Sequence, residues 1–344
     1  MNKILRYIRA DEWVTSKLSF TLAILLFFIY LNSIDLRTAI ISFFVYFLYV
    51  SMFLAINYVA NDFKDIDVDI KAGKKKIIAN LSKTTVYLSL IIMFSLGNIP
   101  LLFLVKEKFK AFILIIISYF LGLAYSGLGF RFKEKGLWGL IECSFAQRSV
   151  PLLMLMFLFK MDFISYFYLF LRIIFSFLDG LRYIIIHQIA DFDNDLKSGV
   201  KTYINQKSKN YRDIVKRITV FLCVFMFLLL SKIIKACSFL MVTSIIIYGI
   251  FEYAIYVVLN IYTKKDWLRN FDSLPLEGYI NLVLPLILGI ILTKTLGKEM
   301  IFLTIFIFCL CIKSFIIKVN LANIYFKSKI DYFCSNFIKA KGKN

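Results

Sequence analysis

The run AIISFFVYFLYVSMFLAINYVANDFKDIDVD, residues 39–69, carries two messages in one stretch. Between Arg37 and Asp62 there is no Asp, Glu, Lys or Arg, and the apolar residues follow one another without the every-other-residue polarity of a half-buried strand. About 20 such residues cross a bilayer as a helix. The run then ends in four carboxylates, Asp62, Asp65, Asp67 and Asp69, so a membrane helix delivers a concentrated acidic cluster to one membrane face.

Outward from this stretch the apolar pattern repeats. Runs of membrane length lie near 18–34, 38–60, 84–105, 109–126, 136–159, 163–189, 214–231, 236–262, 278–296 and 299–317. They predict an all-α, polytopic transmembrane helical bundle of nine helices, or ten if the last is counted. A chain of 344 residues that is 60% hydrophobic and 19% charged does not describe a water-soluble core and surface. With 4 Pro and 14 Gly it is not loop-rich or collagen-like either. Residues 1–344 read as a single transmembrane domain, with a core of about 9–295 and a basic C-terminal extension. The first apolar run follows Lys3, Arg6 and Arg9 as a signal peptide would, but it leads into Asn32-Ser33-Ile34-Asp35 without a small-residue cleavage site and is read as a retained helix.

The net charge of +20 raises the question of nucleic acid, but no soluble part of the chain is left over to bind it. Topology absorbs most of the excess. With the N-terminus in the cytoplasm, inner segments hold 29 of the 42 Lys and Arg and outer segments 9. This predicts a multi-pass protein of the plasma membrane with its N-terminus and active-site loops cytoplasmic. Six scattered Cys without CxxC spacing indicate neither a disulfide framework nor a zinc site, and a single histidine, His187, rules out multi-imidazole metal sites. A metal here should be a hard cation on oxygen ligands.

Continued as a helix, residues 57–69 align Asn57, Asn61, Asp65 and Asp69 every four residues along one face, with Asp62 joining it. Carboxylates stacked at a helix C-terminal end repel one another and oppose the macrodipole, a conflict that a divalent cation resolves. A second cluster, Asp191-Phe192-Asp193-Asn194-Asp195, ends the sixth run and repeats the i, i+4 pair. Such oxygen-only ligands suit Mg²⁺ held jointly with the phosphates of a substrate. Basic residues follow each cluster, Lys71, Lys74, Lys75 and Lys76 after the first, Lys197 and Lys201 after the second. A single cluster would serve equally as solvated loop charge; two at equivalent helix ends on the same side favour a shared diphosphate.

Asn61-Asp62-x-x-Asp65-x-x-x-Asp69 resembles the NDxxDxxxD motif of the UbiA superfamily of intramembrane prenyltransferases, and Asp191-x-x-x-Asp195 followed by Gly199-Val200-Lys201-Thr202 looks like its second motif. Tyr125-Ser126 with Arg131-Phe132-Lys133 is similar to the family's YS…(R)LK segment after the fourth helix. The resemblance implies Mg²⁺-dependent transfer of a prenyl group from a prenyl diphosphate to an aromatic or lipid-like acceptor that enters from the bilayer. It implies metal ligands Asn61, Asp65, Asp69, Asp191 and Asp195, catalytic carboxylates Asp62, Asp65, Asp191 and Asp195, and substrate binding by Lys74, Arg131, Lys133, Lys201 and Tyr125. The same architecture would suit a terpene cyclase or a phosphoribosyl-type transferase, although the intact Asp191/Asp195 pair argues against the latter. A cation-coupled transporter would keep its ion sites near the midplane rather than at helix ends.

Charges also occur inside the predicted spans, where they normally face a bundle interior. Arg172, Asp179 and Arg182 share one face of the sixth run, and Asp179 with Arg182 is spaced for an ion pair. Gln147 and Arg148 suit either a cavity wall or packing against Asp179, and His187 suits either a structural hydrogen bond or proton removal. Near the N-terminus, Arg9-Ala10-Asp11-Glu12-Trp13-Val14 with Lys17 reads as an amphipathic interfacial segment.

Overall fold

A computed structural model describes residues 3–71, 77–125, 127, 131–190 and 283–310, with isolated positions between 192 and 250. Among these residues the regular structure is entirely helical. Two short helices, α1 (Lys3–Tyr7) and α2 (Ala10–Trp13), lead into α3 (Ser19–Leu31). The chain continues through α4 (Leu36–Lys64), α5 (Ile66–Lys71), α6 (Lys83–Leu104), α7 (Lys108–Ala124), α8 (Leu137–Leu158) and α9 (Phe163–Ala190), and resumes at α10 (Leu284–Leu296) and α11 (Met300–Leu310). The expected spans 18–34, 38–60, 84–105, 109–126, 136–159, 163–189 and 278–296 each meet one helix. Those at 214–231 and 236–262 fall almost wholly outside the described residues, and 299–317 is described only as far as Leu310.

Local chemistry sets the helix starts. Asp35 accepts a hydrogen bond from the Thr38 N–H (3.0 Å) and Ser82 one from the Thr85 N–H (3.1 Å), capping orphan donors at the first turns of α4 and α6. The helices α4, α6 and α8 are long and apolar enough to cross a membrane. The 28-residue α9 interrupts its apolar run with Arg172, Asp179 and Arg182, all buried.

Packing divides the helices by face. Residues 19–29 of α3 are buried throughout, and Phe20, Phe27, Phe28, Phe43, Phe53 and Phe175 are fully enclosed. By contrast α6, α7 and the first half of α9 turn Ile91, Phe103, Phe109, Phe163 and Phe170 outward. An apolar exterior of this breadth belongs against lipid tails, where it carries no hydration cost.

Two features position the site. Gly122 lets α7 close on α4, since a Cβ there would lie 2.1 Å from Asn57 Oδ1. The segments Val14–Leu18, before α3, and Phe145–Ser149, inside α8, wind as π-helix, a widened turn that re-aims side chains and often marks functional positions. Here the two wide turns meet, with the Lys17 ammonium donating to Gln147 Oε1 and to the Tyr58 hydroxyl (3.0 Å).

Candidate functional site

The acidic stretch is not one uninterrupted helix. α4 stops at Lys64, Asp65 takes φ −97° and ψ 10°, and α5 begins at Ile66. The four-residue spacing survives the break, because Asp65 N–H bonds to Asn61 C=O (3.0 Å) and Asp69 N–H to Asp65 C=O (2.8 Å). Asp62 and Asp65 are buried, 4% and 8% exposed, while Asn61 and Asp69 are half-buried and Asp67 is exposed. Asn57 leaves the stripe: its amide donates to Phe53 C=O (2.8 Å) and its Oδ1 lies against Gly122.

Buried carboxylates need positive charge nearby. Asp65 receives Lys133, whose Nζ is 2.5 Å from both carboxylate oxygens. Lys133 comes from a short 3-10 turn, Phe132–Glu134, that folds back so that its N–H bonds to Tyr125 C=O (3.1 Å). Of the expected pair, Lys133 thereby reaches Asp65, and Tyr125 is tied to the same turn through its carbonyl while its ring packs against the cluster of Leu140 and Cys143. Arg131 is not: it is exposed and pairs with Glu134 at 2.7 Å. Lys201 is exposed, and Asp191, Asp195 and Lys74 lie outside the described residues.

Asp62 receives Arg9, a pairing that chain order does not announce. The guanidinium donates to Asp62 Oδ1 (2.8 Å) and, through Nε and Nη2, to both Glu12 oxygens (2.6 and 2.5 Å). It also covers the Tyr58 ring, 5.0 Å from its centroid. Burial works against its charge, but the Glu12 hydrogen bond and the field of Asp62 outweigh burial and hold its pKa above the ordinary arginine value. Arg9 adopts the left-handed conformation, φ 51°, which costs roughly 1–2 kcal/mol and separates α1 from α2. Three charge-assisted bonds offset that strain. The segment expected to lie at the interface is therefore fastened to the acidic motif. Its only sequence signal is the i, i+3 pair of Arg9 and Glu12.

Behind this layer Arg148 donates to Asp179 Oδ2 (3.2 Å), and Arg182 donates to Asp179 Oδ1 through Nη2 (2.6 Å) and Nε (3.0 Å). The expected Asp179–Arg182 pair is present. Arg148 packs against Asp179, while Gln147 faces Lys17.

No group of three His, Cys, Asp or Glu close enough to hold a metal occurs among the described residues. The donor set at the end of α4 nevertheless fits a hard cation: its ligands are oxygens, and both buried carboxylates already attract cationic side chains.

The chain matches the UbiA prenyltransferase family over residues 17–274. It shares its fold with a UbiA homolog from Archaeoglobus fulgidus solved bound to GPP and Mg²⁺, at a TM-score of 0.55 and 16% identity, covering 82% of this chain and 96% of that one. The same homolog bound to DMAPP and Mg²⁺ gives a TM-score of 0.55 at 15% identity, with the same coverage of both chains. No curated protein matches the chain.

Proposed function

Because the chain belongs to the UbiA prenyltransferase family, we propose that it moves a prenyl group from a prenyl diphosphate to an aromatic or lipid-like acceptor, with Mg²⁺, inside a membrane. The observation that carries this reading is the pair of buried carboxylates at the end of α4, each matched by a cation from a distant segment. The fold neighbours solved with prenyl diphosphates and Mg²⁺ support it. The protein is then one domain of nine membrane helices, or ten with the last, in the plasma membrane, its N-terminus and acidic motifs cytoplasmic.

In this reading Asn61, Asp65, Asp69, Asp191 and Asp195 hold Mg²⁺, with Asp62 alongside. Bound Mg²⁺ would neutralise charge that develops on the leaving diphosphate as its C–O bond breaks. Lys133 binds phosphate oxygens that approach Asp65, and Tyr125 fixes the loop from which it reaches. Lys74, Arg131 and Lys201 supply further positive charge from neighbouring loops. Arg9 orients Asp62 through its guanidinium. Beyond the carboxylates, the rings of Tyr58, Tyr183 and Phe20 face the Lys17 ammonium and the Arg148 guanidinium at 4.8 to 5.7 Å, contacts that help hold these buried cations.

The test incubates the purified full chain with Mg²⁺, a panel of prenyl diphosphates and a membrane lipid extract, identifying products by mass. Asp65→Asn should lower Mg²⁺-dependent turnover by about 100-fold or more, the scale expected when transition-state charge loses its partner. Unchanged turnover would remove Asp65 from the chemistry. Diphosphate release with a cyclic product and no acceptor would replace transfer by cyclisation.

A further inference from the structure

At the turn between α6 and α7 the surface of the protein is concave. Ile99, Leu102 and Phe103 from the last turns of α6, with Phe109 and Phe112 from the first turns of α7 and Lys108 beside them, line a groove of about 450 Å³. That volume lies within the range of sites that hold small molecules, about 300–1,000 Å³. The walls are open to the surroundings, with Phe103 78% exposed, Phe109 76% and Ile99 51%. Because α6 is long and apolar enough to cross a membrane, the groove opens on lipid rather than on water.

The charge beside the groove is one-sided. The connection carries Lys106, Glu107, Lys108 and Lys110, all exposed. Glu107 is taken by Lys110 at 2.6 Å. Among the described residues Lys106 and Lys108 pair with no carboxylate, and the Lys108 ammonium stands instead 5.8 Å from the centre of the Phe103 ring. A cation–π contact at an exposed position contributes only about 0.5–1 kcal/mol, so this ammonium remains available to an anion. The first turn of α7 holds no acid, and the positive end of its dipole adds to the excess. A second copy of the chain suits the groove poorly, since a twofold pairing through this face sets the lysines of one copy against those of the other.

We propose that this groove holds an acyl chain of an anionic phospholipid whose phosphate is met by Lys108. The order along the membrane normal fits such a molecule. Lys108 opens α7 at the level where the two apolar runs end, while Ile99 and Phe112 lie about 6–8 Å of helical rise deeper. Lysine binds phosphate as a point charge, and its long stem reaches headgroup depth while lying along apolar surface. The whole of α6, about 33 Å of rise, separates the groove from Lys83, where the chain arrives from the acidic stretch. The lipid site therefore stands or falls independently of prenyl transfer.

The experiment is native mass spectrometry of the full chain released from nanodiscs of equal parts phosphatidylglycerol and phosphatidylcholine with identical acyl chains. The wild type should retain phosphatidylglycerol in preference to phosphatidylcholine. Lys108→Gln should lower that ratio about fivefold, the factor that one basic residue near an anionic headgroup contributes. Lys160→Gln, at an exposed lysine of the connection between α8 and α9, should leave the ratio unchanged. Phe109→Ala, which removes one wall, should reduce the phosphatidylglycerol retained. All three positions are exposed, so none of the substitutions puts folding at stake. No preference in the wild type, an unchanged ratio in Lys108→Gln, an equal fall in Lys160→Gln, or undiminished retention in Phe109→Ala would each overturn the proposal. A lipid-free dimer, undone by Phe109→Ala, would overturn it in favour of a second copy of the chain.

Discussion

Two of the places where the described residues bury charge follow opposite rules. At the end of α4 the acids belong to the helix and the cations come from elsewhere, Arg9 from the N-terminal segment and Lys133 from the loop after α7. Within α9 the helix carries Arg172, Asp179 and Arg182 itself, and Asp179 serves two arginines. The difference teaches what each arrangement is for. A carboxylate matched by a long side chain on a loop can exchange that partner for another cation, because the loop can withdraw into water. A carboxylate clamped between two helices has no such alternative, so its charge holds packing rather than ligand.

The largest expected effect tests the fixed arrangement. Asp179→Asn leaves Arg148 and Arg182 buried without their shared carboxylate, and breaking a buried pair in this way costs about 3–5 kcal/mol. Expression should fall and the unfolding midpoint in detergent should drop steeply, whereas Asp65→Asn, at the exchangeable site, should unfold close to wild type while losing turnover. A midpoint for Asp179→Asn within a degree or two of wild type would erase the distinction between the two regions.

How much of this the sequence made legible depends on how local each feature is. The apolar runs are local, so the helix expected near 38–60 appears as Leu36–Lys64, longer at the ends where Asp35 caps it and Lys64 closes it. The Asp179–Arg182 pair was legible from its i, i+3 spacing. The pairing of Arg9 with Asp62, 53 positions apart, and of Lys133 with Asp65, 68 apart, was not, because a basic residue near a membrane looks the same whether it meets a headgroup or a carboxylate. The break at Asp65 was hidden as well: nothing in Lys64-Asp65-Ile66 signals a bridge-region residue. Nor did composition announce the π-turns that bring Lys17 to Gln147.

A smaller effect probes the exchangeable site from the N-terminal side. Arg9→Ala removes three charge-assisted bonds at a position 19% exposed on its side chain, while leaving a left-handed backbone that alanine also dislikes. Arg9→Gly removes the same bonds but relieves the backbone, and should be more stable than Arg9→Ala by about 1 kcal/mol. Unfolding midpoints of the two variants in one detergent check this. Equal stability would mean that the α1–α2 break is not enforced by Arg9 backbone geometry, and that the segment reaches Asp62 by packing alone.

The smallest effect concerns a carboxylate held by neither cation nor burial. Asp35 is at the α4 N-terminus, where hydrogen bonds from the Thr38 backbone N–H, then its side chain, hold its pKa below the usual carboxylate value. A depressed folded-state pKa means that the cap contributes stability above the unfolded-state pKa, and that this contribution is lost as pH falls through the folded one. The first turn of α4 should therefore loosen only in the acid range, below about pH 4. Amide exchange at Thr38, corrected for the intrinsic pH dependence, should accelerate there in the wild type and show no such step in Asp35→Ala. Because among the described residues no side chain other than Thr38 answers Asp35, its loss should leave the Arg9–Asp62 and Lys133–Asp65 pairs intact. A simultaneous fall in turnover would instead couple the two ends of α4, and so undo the separation between charge that caps a helix and charge that waits for a ligand.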